Sequence, residues 1–274
     1  MAADDRFMQA PIDIFTPEFG DLYDELPLWS APFGQLLLEQ VPLREGMTIV
    51  DVGAGTGFLA MELAQRCGPS STVYAVDPWA SALARLRRKL VQAGVTNVHV
   101  VEADASALDL PADSVDLVVS NLGINNFENA SLVLAECFRV LKPGGRLFLS
   151  TNLVGHMAEL YDAYRDVLLE LGRVDRVDVL DAHVARRATV EKVEAQLTTA
   201  GFVPGDIATD SFRIRFASGA ALLRHYFVRF AFLPGWAEIA GEGLAEEALG
   251  RLAARLGGEV TLTIPMACVE GVKP

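Results

Sequence analysis

The 274-residue chain has little of what staples or metallates a fold. Its three cysteines, Cys67, Cys137 and Cys268, are odd in number and widely spaced. They exclude a disulfide framework and a cysteine-rich zinc module, and a reducing compartment is the simple reading. The four histidines show no zinc-ligand spacing with any cysteine, so no metal is expected. Bases are in deficit: 23 Lys and Arg face 36 Asp and Glu, a formal net charge of −13. Such a surface repels a phosphate backbone on average, so nucleic acid is not an expected partner. No apolar run reaches the roughly 18 residues of a spanning helix. The opening Met1-Ala2-Ala3-Asp4-Asp5-Arg6 lacks the basic-then-apolar order of a signal peptide. No internal repeat is visible, and a cytoplasmic protein is expected.

What is present is a globular composition, 51% apolar and 22% charged. The length suggests one large domain, or a domain with a lid. Residues 1–45 carry Phe15, Phe19, Tyr23, Trp29 and Phe33 in irregular order. They read as an N-terminal arm or cap, with a short helix near Gly34–Gln40, before a domain over 46–274. From 47 to 151 short apolar runs alternate with helical patterns. Strands are expected at Thr48–Val52, Thr72–Val76, Val98–Val101, Asp116–Ser120 and Arg146–Ser150. Helices are expected at Gly57–Cys67, after Asp77-Pro78 (an N-cap followed by Pro at the first helical position), and along Ala130, Val133, Leu134, Cys137 and Leu141. Lys142-Pro143-Gly144-Gly145 reads as a turn into the fifth strand. The alternation predicts a parallel sheet covered on both faces, with the first strand central and ligands at the C-terminal strand ends.

The last third reads as mainly helical. Met157, Leu160, Tyr161, Tyr164, Leu168 and Leu171 form one stripe, and Val190, Val193, Leu197 and Ala200 another. Strands at Phe212–Phe216 and Thr261–Ile264 bracket helices at Ser218–Leu233 and Gly243–Leu256, read as an insertion over about 217–257. The whole is an α/β, Rossmann-like, seven-stranded and mostly parallel sheet with helices on both faces.

The sharpest motif is Asp51-Val52-Gly53-Ala54-Gly55-Thr56-Gly57, between a strand and a helix. Its glycines permit positive φ and let a ligand touch the backbone, and the helix start adds free N–H groups. A dinucleotide or a nucleoside could use such a turn. The dinucleotide fingerprint, however, is G-x-G-x-x-G, and Phe58 stands where its third glycine belongs.

With this motif, residues 47 to about 151 resemble the class I S-adenosylmethionine-dependent methyltransferases of the small-molecule type (methyltransferase domain 11/25-like). Val50–Gly57 matches the family's first motif, and Val73-Tyr74-Ala75-Val76-Asp77 its second strand with a terminal acid. Ala103-Asp104-Ala105 matches the loop after the third strand, and Phe138–Gly145 the approach to the fifth. The resemblance implies S-adenosyl-L-methionine as cofactor, leaving as S-adenosyl-L-homocysteine. It implies that Gly53, Ala54, Gly55 and Gly57 line the methionine and ribose part, and that Asp51 hydrogen-bonds toward the amino group. Asp77, followed by Pro78, would hold the ribose hydroxyls, and Asp104, with the Ala105 N–H, the adenine edge. Asn121 would face the methyl group or the acceptor. Tyr23, in the arm segment Tyr23–Trp29, would fold over the cofactor; ordinary packing is the alternative for that segment.

The implied partner is a small organic methyl acceptor, methylated at O, C or N, and the chain is a monomer or a homodimer. Asn121-Leu122-Gly123-Ile124 lacks the Pro-Pro-aromatic turn of enzymes that methylate adenine or glutamine nitrogens. The cysteines do not match arsenite methyltransferases, and no acid set suggests a catechol-type magnesium site. Asn125, Asn126 and Tyr161 are candidate substrate contacts, with loop and core roles as alternatives. No catalytic residue is assigned; Asn125 and His225 are the candidates. Arg213, Arg215, Arg224 and Arg229 make the late region locally basic, either for a carboxylate-bearing substrate or as a solvated face. A nicotinamide-dependent oxidoreductase and a non-catalytic protein retaining the fold are the rival functions.

Overall fold

The computed structural model describes residues 6–8, 12–24 and 29–274. Residues Glu25–Leu28 of the arm segment lie outside them. The chain divides into two compact units. One contains Ile14–Asn152, Thr189–Asp210 and Met266–Pro274; the other contains Leu153–Ala188 and Ser211–Pro265, with the described residues before Ile14. The helices expected over about 217–257 therefore group with the earlier segment Leu153–Ala188.

The first unit is built on strands β1 (Thr48–Val52), β2 (Thr72–Asp77), β3 (Val98–Glu102), β4 (Val115–Asn121) and β5 (Leu141–Asn152). With β6 (Val203–Phe216) and β7 (Val260–Val272) they form a seven-stranded sheet in the order β3-β2-β1-β4-β5-β7-β6. Pairings β2–β3, β1–β2, β1–β4 and β4–β5 are parallel, and β5–β7 is antiparallel. Ile49, Val50, Val52, Val73, Ala75, Leu117, Val118 and Val119 are all buried. Such continuous apolar strands are what a sheet covered on both faces requires. The direction of strand succession reverses at β1, between β2 and β4, and sheets of this type bind ligands at that switch point.

Helices α1 (Pro17–Asp24), α2 (Ser30–Gln40), α3 (Phe58–Arg66), α4 (Ala80–Ala93) and α5 (Ala130–Val140) belong to this unit. Helix α4 starts later than the Asp77-Pro78 signal predicts, so Asp77 is not its N-cap and Pro78 is not its first helical residue. Trp79 precedes the helix with φ −85° and ψ 90°. Asp77 is instead tethered sideways to the glycine turn, as described below. The expected Lys142–Gly145 turn is an excursion within β5: Val115 pairs with Leu141, and the next register pair, Leu117, lies opposite Arg146. Lys273 closes it, exchanging backbone hydrogen bonds with Gly144 and Gly145.

Strands β6 and β7 run much longer than Phe212–Phe216 and Thr261–Ile264. β6 is an edge strand, mostly exposed, so no burial alternation marks its full length, and it tolerates Pro204. Residues Met266–Val272 of β7 pair antiparallel with Asn152–Arg146.

The second unit is helical: α6 (Ala158–Glu170), α7 (Val174–Ala185), α9 (Gly219–Arg224), α10 (Tyr226–Ala231), α11 (Leu233–Ala240) and α12 (Ala245–Leu256); α8 (Val190–Thr199) belongs to the sheet unit. The single helix expected over Ser218–Leu233 is broken at His225 (φ −63°, ψ 129°) and at Phe232 (φ −126°, ψ −40°). His225 carries no Gly or Pro signal, whereas Phe232 is followed by Pro234 in the first turn of α11. The core of this unit gathers around Trp236, Tyr164, Leu222 and Leu252, with the Tyr164 hydroxyl donating to the Trp236 carbonyl at 2.6 Å. Among the described residues no helix is long and apolar enough to cross a membrane, and no group of three or more His, Cys, Asp or Glu could hold a metal.

Candidate functional site

The turn after β1 is pinned to the end of β2. The Gly53 and Ala54 N–H groups both donate to the Val76 carbonyl, at 2.9 and 3.1 Å. Gly53, Gly55 and Gly57 take φ of +76°, +52° and +86°, the region that glycine enters without steric cost. At Gly57 a Cβ would also sit 2.1 Å from Leu86 Cδ1 on α4. At Gly55 a Cβ would meet nothing within 4 Å, so this face of the turn is open.

Two carboxylates frame that open face. Asp77 Oδ2 accepts the Gly55 N–H at 2.8 Å, and Oδ1 accepts the Trp79 N–H at 2.8 Å. Burial pushes its pKa up, and those two backbone donors oppose the shift. Each oxygen keeps a further lone pair for a ligand hydroxyl. Asp51, on β1, is 1% exposed, and its Oδ2 has no hydrogen-bond partner. Burial pushes its pKa up to about 7; a backbone hydrogen bond at Ala60 opposes this, and the charge of Asp77 adds to it. A buried acceptor left unmatched costs free energy, so each such group calls for an explanation. An ammonium group donated by a ligand supplies one. The residues therefore fit an adenosyl amino acid: an unmatched buried acid for the amino group, a second acid for hydroxyls, and an open glycine backbone between them.

The arm closes round Asp77. Asp24, at the end of α1, pairs with Lys89 at 2.6 Å and Arg85 at 2.9 Å on α4. Burial alone would raise the Asp24 pKa, but hydrogen bonds from Lys89, Thr56 and Arg85 hold it below the usual carboxylate range. Neighbouring Tyr23 stands edge-on to Trp79, with ring centroids 5.2 Å apart. Its phenol is pushed up by burial and by the Asp77 charge, which puts the ring in the field of that carboxylate. On α2, Gly34 leaves room for Phe58, the first residue of α3: a Cβ at Gly34 would lie 2.2 Å from Phe58 Cε1.

The loop after β3 is tied in by the Ala103 N–H, which donates to the Asp77 carbonyl at 3.2 Å. Asp104 is exposed, and its Oδ1 accepts the Ser106 N–H at 2.7 Å. Bonds from Ser106 lower its pKa, and Ala105 beside it is buried. At the end of β4 the Asn121 amide is engaged on both sides: it donates to the Ser30 carbonyl (3.0 Å) and accepts the Ser150 hydroxyl (2.6 Å). The Asn125 amide donates to Asn152 (3.0 Å) and accepts from Thr151 (2.6 Å). Asn126 is exposed, its amide 3.5 Å from the Leu122 carbonyl.

Tyr161 and His225 lie in the helical unit. Tyr161 is 2% exposed, its hydroxyl 3.4 Å from Trp236 Nε1 and 3.3 Å from His183 Nε2. His225 joins α9 to α10 and meets Phe216 edge-on at 5.4 Å; burial lowers its pKa. The sheet unit thus brings together Asp51, Gly53–Gly57, Asp77, Tyr23 and the Asp104 loop. Sequence reasoning missed Asp24 as the anchor of Tyr23, and Gly34 as the clearance for Phe58. A glycine inside a short apolar helix is the signal that could have found Gly34.

The methyltransferase-domain family profile matches residues 50–149, the span from β1 to β5. The chain is 31% identical over 170 residues to the ubiquinone/menaquinone biosynthesis C-methyltransferase UbiE of Salmonella paratyphi B, covering 58% of this chain and 68% of that protein. Among solved structures, the YcgJ protein of Bacillus subtilis superposes with a TM-score of 0.60 at 18% identity, covering 89% of this chain and 98% of its own. A SAM-dependent methyltransferase from Aquifex aeolicus gives 0.53 at 22% identity, over 70% and 91%. With the glycine turn and its two flanking acids placed at the switch point of this sheet, the chain belongs to the class I S-adenosylmethionine-dependent methyltransferases.

Proposed function

We propose that this methyltransferase transfers its methyl group to a carbon atom of a small organic acceptor. In this reading Asp51 accepts from the amino group of S-adenosylmethionine, and Asp77 takes the ribose hydroxyls on the lone pairs that Gly55 and Trp79 leave open. Gly53, Ala54, Gly55, Gly57 and Pro78 line the cofactor; Asp104 and the Ala105 N–H read the adenine edge; Tyr23 shields the ribose side. The bound cofactor supplies an electrophilic methyl group on a sulfonium. The protein orients the acceptor and excludes water, and alignment alone carries much of the rate of such a displacement. Asn125, fixed by Thr151 and Asn152, and Asn126 beside it supply amides for a polar acceptor.

The single observation that carries this reading is the unmatched, buried Asp51 beside the open Gly55 and the tethered Asp77. The C-methyltransferase relative supports carbon as the receiving atom. The three cysteines are free and buried, which supports a reducing, cytoplasmic setting. The test is incubation with methyl-labelled S-adenosylmethionine and a panel of electron-rich small aromatics, with the products read by NMR. A new carbon–methyl resonance bears the proposal out. Label appearing only on oxygen or nitrogen overturns it.

A further inference from the structure

In the helical unit one guanidinium among the described residues has a buried nitrogen without an acceptor, Arg187 Nε. We propose that Arg187, with His183 and Tyr161 beside it, forms a binding site for a small carboxylate carried on a flat apolar body.

The chain itself assembles this cluster. α7 ends at Ala185, and Arg187 follows with its N–H donating to the Val184 carbonyl at 3.2 Å. His183 lies four residues before Arg187, one helical turn back. Ala188 bridges to Leu153, and its carbonyl accepts the Val154 N–H at 2.9 Å. That pairing sets Arg187 beside the segment that carries His156, which is 1% exposed. His183 Nε2 is 3.3 Å from the Tyr161 hydroxyl, which Trp236 Nε1 approaches at 3.4 Å. Phe232 stacks on Trp236 at 5.7 Å with an interplanar angle of 16°, and the His156 and Phe227 rings each lie 5.7 Å from it.

Charge points to an anion. Several arginines of this unit pair with acids, Arg165 with Asp181, Arg255 with Glu170 and Arg215 with Glu259, and none of the unpaired ones but Arg187 has a buried nitrogen left without an acceptor among the described residues. Arg187 makes no ion pair among the described residues, and its Nε is buried with no acceptor. Arg186 adds a second positive charge near His183, and Glu238 is the acid that acts on that ring. Burial first, then the Arg187 charge, pushes His183 down to about 4 and His156 to about 3. Both rings are therefore neutral near pH 7, and the guanidinium is the charge of the cluster. A partly buried, unpaired guanidinium costs stability, and such costs collect where a ligand completes the pairing. A guanidinium fork matches a carboxylate in two parallel hydrogen bonds. The half-buried Phe232 ring, backed by the buried Trp236 and His156 rings, supplies the apolar surface for a flat body behind that carboxylate.

The test uses the whole chain without methyl donor, so its failure leaves the methyltransferase reading intact. Benzoate, benzyl alcohol and inorganic phosphate are titrated by calorimetry into the wild type, Arg187→Lys and Arg187→Met. The proposal expects saturable benzoate binding, with benzyl alcohol and Arg187→Met each weaker by roughly tenfold or more. Arg187→Lys falls between them, because it keeps the charge and loses the fork. Without ligand, Arg187→Met melts no lower than the wild type, because it removes an unpaired charge. No saturable benzoate binding by about 10 mM overturns the proposal. So does equal binding to wild type and Arg187→Met, or a preference for phosphate over benzoate.

Discussion

Asp77 holds Gly55 from the neighbouring strand: its Oδ2 accepts the Gly55 N–H at 2.8 Å, while its Oδ1 accepts the N–H of Trp79. One carboxylate thus sets both the glycine turn and the chain that enters α4. The same side chain that would read the ribose also shapes the backbone against which the cofactor lies.

Replacing Asp77 should therefore act twice. Asp77→Ala is expected to weaken S-adenosylhomocysteine binding by roughly 10-fold to 100-fold or more, from lost charged hydrogen bonds. It should also lower the melting temperature of the ligand-free protein, because two backbone donors lose their acceptor. Calorimetric titration and a thermal scan of the same variant read the two effects separately.

Asp51 should impose a pH dependence of the opposite sense to a paired carboxylate. Its folded pKa of about 7 lies above the usual aspartate value of 3.8. The stability it contributes is thus fully present below about 3.8 and is lost as pH rises through about 7. Asp51→Asn should flatten the stability profile between those limits and leave the ligand-free protein more stable than the wild type at pH 8. If an ammonium group pairs with Asp51, cofactor binding at pH 6 releases a proton. Titrations in buffers of different ionisation enthalpy measure that release, and its absence in Asp51→Asn assigns it.

The contact between Gly34 and Phe58 should be intolerant of one methyl group. Gly34→Ala places a Cβ 2.2 Å from Phe58 Cε1, and overpacking of this kind costs about 1–3 kcal/mol. A fall in melting temperature of roughly 2–12 °C follows for a chain of this size. Adding Phe58→Leu should recover part of it, which separates a clash at that ring from a general helix defect.

Part of this site can be read directly from the sequence, because the signal is local. Three glycines at fixed spacing between a strand and a helix, with acids at two strand ends, locate Gly53–Gly57, Asp51 and Asp77 without coordinates. The Gly34–Phe58 fit joins two elements distant in sequence, and only packing reveals it. The break at His225 carries no Gly or Pro, so tertiary contacts decide it, whereas Pro234 in the first turn of α11 marks the one at Phe232. Edge strand β6 is exposed along most of its length, and exposure erases the alternation that would have shown its extent. No spacing or motif marks Arg187, and its buried, unmatched Nε is visible only in the fold.

Asp24 should govern the arm. Its pairs with Lys89 and Arg85 are only partly exposed, and its lowered pKa means that their contribution is present above the unfolded carboxylate value and fades as pH falls. Asp24→Ala is expected to speed hydrogen exchange along α1 and weaken cofactor binding by displacing Tyr23, while exchange in β1 and β4 stays as in the wild type. Equal protection of α1 in both proteins would remove Asp24 as its anchor.

The central claim is that the glycine turn and its two acids bind S-adenosylmethionine. A thermal-unfolding scan with S-adenosylmethionine, S-adenosylhomocysteine and a nicotinamide dinucleotide in parallel tests it most directly. A ligand at 100-fold its dissociation constant adds about 2.7 kcal/mol, here a rise of roughly 5–10 °C. The account predicts that rise with the two adenosyl ligands, none with the dinucleotide, and its loss in Asp77→Ala. A rise with the dinucleotide alone, or an undiminished adenosyl response in Asp77→Ala, would contradict it.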